Sequence, residues 1–466
     1  MDPSQEALVD RDGRAQVCLN LAKFTRNLVA DVPGNQRRAW EIEPDLRRLL
    51  HHYTSYYALQ EDSSASLARI LGQTLCNLVT SNEELSSRLW HSYLEIPEEE
   101  NVLMRVRCVL AFTGIRLLGC SRQDVALPGT ILVLNCLNKH RDRVSELTDR
   151  PLGLRICVSL LDQISETFQE EGDNPIFDVG YSIFRTVAES GGTPRLYEKL
   201  LVKDEIITPH QTTLLKLLDA YLQSSAGERE AGLHTELTPF LLAAFAALSR
   251  YAQNAIREAL GLSVGQAYPE VSQVSPQNPT GSPTSSANGK FTGSELVQQP
   301  PLKELDLVLP KASEALVLVC QCLITITLAA SGGTAYTTQQ RATVMEPAQT
   351  PEFISNLIET LRLLDLFLPR INFGKPVGGG PASHSTESPG FDYVKRDLVR
   401  LLGILCHETR SVQDCVRVSG GIPVVMNMCV VDERNPFLRE HAVFCLRNLL
   451  HDNPENQAVV NEIQPI

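Results

Sequence analysis

Paired thiols are the first residues in this sequence that could do chemistry. Cys320-Gln321-Cys322 carries two soft sulfur ligands of the kind that suit Cu(I). Cys406-His407, and His441 with Cys445, set imidazole beside thiol. Spacing weighs against a shared metal, because helical positions i and i+2 point about 200° apart. The run from Ala315 to Ala330 around the first pair is strongly apolar, so core packing explains these thiols better than ligation. The remaining cysteines are scattered along apolar stretches, and no CxxC occurs. That usage fits reduced thiols of an intracellular protein, not a disulfide framework. No metal or other cofactor is expected.

Catalytic signatures are equally thin. Gly378-Gly379-Gly380 lacks the Lys-Ser/Thr of a phosphate-binding loop. No GxSxG or HExxH motif occurs, and no histidine has a recognisable nucleophile or metal spacing. The expectation is a chain that is not an enzyme.

Binding chemistry is better represented. Asn27, Asn77 and Asn448 fall near the ends of predicted helices. A carboxamide donates and accepts at once, which suits the backbone of an extended peptide in a groove. The competing role is a local cap or a bond between repeats. Trp40 and Trp90 follow Asn27 and Asn77 by thirteen residues, not one helical turn before them. They read as packing residues, which disfavours an importin-like adaptor for basic signal peptides. Ser275, Ser282 and Ser388 each precede a proline in loop-like sequence and are candidate phosphorylation sites.

The elements that would position these residues are helical. Only 6% of residues are aromatic and leucine is abundant, a balance that suits helix packing better than a β-sandwich. The net charge of −13 and the lack of a Lys/Arg block argue against a phosphate-gripping face, so no nucleic acid partner is expected. Gln321, Thr325 and Thr327 interrupt the Ala315–Ala330 run, which reads as a buried core helix and not a membrane insertion. The first residues lack the basic and apolar regions of a signal peptide, and a cytoplasmic location is expected.

Internal repeats are the strongest signal. Arg26-Asn27-Leu28 with Asp31, Pro33 and Asn35-Gln36 recurs as Arg447-Asn448-Leu449 with Asp452, Pro454 and Asn456-Gln457. Asn27-Leu28-Val29 returns fifty residues later as Asn77-Leu78-Val79. Leu402, Leu405, His407, Gln413 and Val416 correspond to Leu446, Leu449, His451, Gln457 and Val460, forty-four residues on. Steps of this size are those of armadillo and HEAT units. The last unit predicts a short helix Val412–Val418, a stop at Gly420-Gly421, and a second helix Val424–Val431. Asn435 is expected to cap a third helix with Pro436 at its first position. Leu438, Ala442, Cys445 and Leu449 then share one apolar face.

The expected fold is an all-α armadillo/HEAT-like superhelix with a disordered insertion. Residues 1–263 form N-terminal repeats and 264–301 a Ser/Pro/Gly-rich linker. Residues 302–373 are further helical repeats, 374–390 a flexible Gly/Pro loop, and 391–466 a C-terminal repeat domain. No strands are expected.

The stretch from Tyr393 to Pro465 resembles the C-terminal domain of ataxin-10 and its fungal relatives. The residues that carry the likeness are Lys395 to Leu402, Val412-Gln413-Asp414, Gly420 to Pro423, Asn435-Pro436-Phe437, Glu440-His441-Ala442 and Arg447 to Leu450. Gln73 to Leu78, with Asn82-Glu83-Glu84 and Trp90, is similar to that family's N-terminal region. Ile404 departs from the pattern, where the family tends to show asparagine. The resemblance implies a non-catalytic armadillo-like scaffold that binds other proteins and acts in cytokinesis. A copper-handling protein is the alternative that the fungal relatives' copper-transport label implies.

Overall fold

The computed structural model describes residues 3–95, 103, 117–120, 122–138, 140–168, 172–224, 230–262, 306–332, 336–368, 370–372, 375–377 and 390–462. The described residues are overwhelmingly helical, in stacked repeats, as the sequence predicts. The chain forms two compact units, Met1–Phe240 and Leu241–Ile466. The expected linker 264–301 lies outside the described residues, as do Ser275, Ser282 and Ser388.

The first unit contains α1 (Pro3–Val29), α2 (Pro33–Ala39), α3 (Glu43–Tyr53), α4 (Asp62–Val79), α5 (Glu83–Glu95) and α6 (Gln123–Leu137). It continues with α7 (Arg141–Asp149), α8 (Pro151–Thr167), α9 (Pro175–Glu189), α10 (Thr193–Lys199) and α11 (Pro209–Ser224). The start of α12 (Glu230–Leu260) belongs to it as well. The long helices form a ladder: α4 packs on α1, α6 on α4 and α9 on α6. Spacing explains the packing. Leu67, Leu71, Leu75 and Leu78 recur three or four apart on α4 and are buried.

The second unit adds α13 (Leu309–Gly332), α14 (Thr338–Ala348) and α15 (Pro351–Phe367) to the rest of α12. Then come β1 (Arg370–Asn372), β2 (Lys375–Val377), α16 (Val394–Cys406), α17 (Arg410–Val418), α18 (Gly421–Asn427), α19 (Leu438–Leu450) and α20 (Pro454–Glu462). Its ladder is α13, α16 and α19. The apolar run Ala315–Ala330 is the middle of α13, and its Ala315, Leu316, Val319, Leu323 and Ile326 are core residues. By length and composition α12 and α13 would each suit a membrane span; most of α13 and a little under half of α12 are buried within the protein.

Three details depart from the sequence reading. β1 and β2 form an antiparallel ribbon with Ile371 opposite Pro376, so Lys375–Val377 is strand. A three-residue strand carries too little alternation to be read from sequence. The second helix of the last unit is Gly421–Asn427 and not Val424–Val431: it begins at Gly421, within the expected stop, directly after Gly420 in the left-handed region (φ +65°). Asn435 does not cap α19. Its Oδ1 accepts from the amides of Lys395 and Arg396 (3.1 and 3.4 Å), so it caps α16 of the preceding unit. Asp432 holds the carboxamide in that orientation by accepting from Asn435 Nδ2 at 3.0 Å.

The corners between units repeat in backbone angle as well. Asp31, Ser81, Glu408 and Asp452 each lie two residues past a ladder helix and have φ between +50° and +56°. Tyr393 and Phe437, forty-four residues apart, precede α16 and α19 with φ +65° and +66°. Non-glycine residues seldom adopt this region. Its recurrence at the repeat steps shows one structural unit used again.

Candidate functional site

Two of the three asparagines singled out in the sequence bind the repeats to one another. Asn77 Nδ2 donates to the carbonyl of Arg26 on α1 (3.0 Å), and Asn448 Nδ2 to that of Gly403 on α16 (2.9 Å). Asn27, on the exposed side of α1, accepts from its neighbour Arg26 through Oδ1. Two of the three proposed groove residues therefore commit an amide donor to a neighbouring ladder helix.

Several of these bonds recur in both units, at the asparagine carbonyl and at the asparagine five residues beyond it. Gln36 Nε2 donates to the carbonyls of Asn77 and Thr80 (2.8 and 2.9 Å), while its Oε1 accepts from Asn82 Nδ2 (2.9 Å). Gln413 Nε2 donates to the carbonyls of Asn448 and Cys406 (2.9 and 3.3 Å), and its Oε1 accepts from Asn453 Nδ2 (3.0 Å). Asn35 donates to the carbonyl of Leu28, and its counterpart Asn456 to that of Leu449, both at 2.8 Å. Gln36 and Gln413 are fully buried, so each bond replaces one that water cannot supply.

A buried ion cluster fixes the loop before α19. Lys395 Nζ lies 3.3 Å from Asp432 Oδ2 and from the carbonyl of Leu368, and 3.5 Å from Asp365 Oδ1. Asp432 Oδ1 also accepts from the amides of Ile371 and Arg434, each at 3.2 Å. Beside this loop is a cleft of about 410 Å³ lined by Arg370, Asn372, Cys429, Val430, Val431 and Arg439.

The thiols lie in the core. Cys320 and Cys322 are fully buried on α13, and Gln321 between them donates to Asp397 Oδ2 at 3.0 Å. Cys406 and Cys445 meet thiol to thiol between α16 and α19, and burial holds Cys406 far toward its neutral form. Burial pushes Cys136 and Cys157 up to about 12. His441 is held below the ordinary histidine range, first by burial and then by Arg400 and Arg396. Among the described residues no group of three His, Cys, Asp or Glu is arranged to hold a metal ion. Trp90 is buried and donates its indole N–H to Glu146 (3.0 Å), and Arg88 stacks over Trp40 at 4.9 Å.

Exposed apolar side chains were not singled out in the sequence. Val443 and Phe444 on α19 are 51% and 60% exposed, and Phe437 at its start is 68% exposed. Val17, Leu21, Phe24 and Leu28 form a similar stripe on α1. A signal was present: these residues fall off the buried stripes of their helices, where polar side chains are the rule.

The repeats around α16 and α19 coincide with a known domain. Residues 394–466 match the family described as the spinocerebellar ataxia type 10 protein domain. The C-terminal repeats thus carry the domain of the ataxin-10 family. An ataxin-10 homolog of Kluyveromyces lactis is 38% identical over 74 residues, which is 16% of this chain and 14% of that one. Ataxin-10 of Bos taurus is 38% identical over 80 residues, 17% of this chain and 16% of that one. The match thus spans about a seventh of the length of those ataxin-10 proteins. Among solved structures, an engineered protein aligns over 93% of this chain and 95% of its own, at 10% identity and a TM-score of 0.25.

Proposed function

We propose that this chain is a non-catalytic scaffold that binds other proteins through its stacked repeats. The supporting observation is the ladder of long helices in each unit, whose α1 and α19 display large apolar side chains to solvent. Stacked helical repeats present extended surfaces in place of a reaction pocket. Contiguous exposed apolar side chains of this kind mark interaction sites. Action in the cytoplasm during cell division is part of the proposal and rests on the ataxin-10 likeness alone.

The test is capture of partners by the tagged full chain, followed by reconstitution of each candidate from purified components. A partner that binds at micromolar or lower dissociation constant in calorimetry supports the scaffold reading. Turnover of a small-molecule substrate by the purified chain, with no reconstituted partner, refutes it.

A further inference from the structure

The outer face of α19 has two occupied counterparts in the same chain, and they show what it is shaped to receive. On α16, Val399, Leu402, Gly403 and Cys406 share one face and are fully buried. α19 covers it: Cys445 sits so close that a methyl on Gly403 would lie 3.3 Å from its Cα, and it meets Cys406 thiol to thiol. Forty-four residues on, the same positions are Val443, Leu446, Arg447 and Leu450. None of these is buried. Val443 is 51% exposed where Val399 is fully covered.

The second counterpart is α1, matched through Arg26-Asn27-Leu28 and Arg447-Asn448-Leu449. On α1, Ala22 and Val29 stand where α19 has Val443 and Leu450, and both are buried in the packing with α4. Arg26 stands where α19 has Arg447. Its Nη1 donates to Gln73 Oε1 of α4 at 2.9 Å, and its carbonyl accepts from Asn77 of α4. An arginine in this position therefore meets a side-chain oxygen on the next helix. The next helix returns an amide four residues later. Among the described residues neither Arg447 nor Arg439 has an ion-pair partner, although the chain carries a net charge of −13.

We propose that α19 docks an acidic amphipathic helix from a partner protein, laid on it as α4 is laid on α1. This rests on the scaffold reading and names its surface and the partner's chemistry. The docking helix carries Glu or Gln opposite Arg447, and Asn four residues later to donate to the Arg447 carbonyl. Small or aliphatic residues recur three and four apart to cover Val443, Leu446 and Leu450. Gly403 admits the close approach of α19. Arg447 in its place keeps the partner helix farther off, so a carboxylate reaches it better than backbone does. Acidic flanks meet Arg439.

The probe is a lactam-bridged, fluorescein-labelled peptide of the α4 sequence Asp62–Val79 carrying Gln73→Glu. It is titrated with the full chain by fluorescence anisotropy. Saturable binding is expected, weakened at least tenfold by Val443→Asp and by Arg447→Glu, both exposed positions whose urea midpoints stay unchanged. A peptide with Arg at position 73 recovers binding to Arg447→Glu. Absence of saturable binding overturns the proposal. So does binding that neither substitution weakens, or self-association of the chain that both substitutions dissolve. If a reconstituted partner still binds the Val443→Asp chain as tightly as the parent, this surface is wrong while the scaffold reading stands. If no partner reconstitutes with either chain, the scaffold reading fails as well.

Discussion

Replacing Gln413 with leucine keeps the volume of the side chain and removes its hydrogen bonds. The carbonyls of Asn448 and Cys406 lose a donor, and Asn453 loses an acceptor while keeping Asp414 at 3.2 Å. Each buried polar group left unsatisfied costs about 1–3 kcal/mol; the Asn448 carbonyl bears that in full and the Cys406 carbonyl, which keeps the Thr409 amide at 3.4 Å, in part, for a loss of roughly 2–4 kcal/mol. Gln36→Leu makes the same change in the first unit, at the carbonyls of Asn77 and Thr80. Trp40 and Trp90, the two tryptophans, both lie in that unit, so their fluorescence reports it alone. In urea titrations Gln36→Leu is expected to lower the midpoint seen by fluorescence and by circular dichroism. Gln413→Leu should lower only a circular dichroism transition, in either case by about 1–2 M at the usual urea dependence. A loss below about 1 kcal/mol in either variant refutes the equivalence of the two networks.

Three further outcomes are expected. Asp432→Ala should cost about 3–5 kcal/mol, more than Lys395→Met, because Asp432 accepts from two backbone amides as well as from Lys395; urea denaturation ranks the two, and the reverse order refutes it. Burial pushes His234 down to about 4 in the folded protein, from an ordinary value near 6.5. The unfolded chain therefore binds the extra proton, and stability present above pH 6.5 is lost as pH falls toward 4. That slope, at most about 1.4 kcal/mol per pH unit, should disappear from fluorescence-detected unfolding in His234→Leu. Finally, a disulfide reagent at pH 8 should modify the half-buried Cys18, Cys415 and Cys429 in the native chain well before Cys136 and Cys157, which burial keeps protonated; peptide mapping after timed quenching decides it.

Much of the repeat was legible in the sequence, because the residues that mark it make bonds at fixed offsets. Asn35 and Asn456 were aligned by motif and make the same bond to the same helical position. Asp31 and Asp452, aligned the same way, share a left-handed backbone. Where a distant residue decides, the sequence was silent. Asn435 sits one residue before a proline, as a cap of α19 would, yet Asp432 and the start of α16 claim its carboxamide. Local pattern gives no reason for Phe437 to take φ +66°, or for three-residue strands to pair. The exposed face of α19 emerged only when burial at one repeat position could be compared with burial forty-four residues away.

The carboxamide network also bears on how such a chain avoids folding wrongly. Apolar faces of successive repeats are nearly interchangeable, so hydrophobic contact alone would let a ladder helix pair with a non-neighbour, or with the same helix of another molecule. Gln36 and Gln413 raise the penalty for those mistakes. A helix that slips by one turn, or comes from the wrong repeat, buries the same leucines but strands the glutamine and the carbonyls it should reach. Correct and incorrect assemblies then differ by several unmade hydrogen bonds in a dry interior, a discrimination that leucine packing cannot supply. On this account the glutamines act as proofreaders of the stack. Chains lacking them should give more swapped or mispaired oligomers on refolding, beyond what their lost stability alone produces.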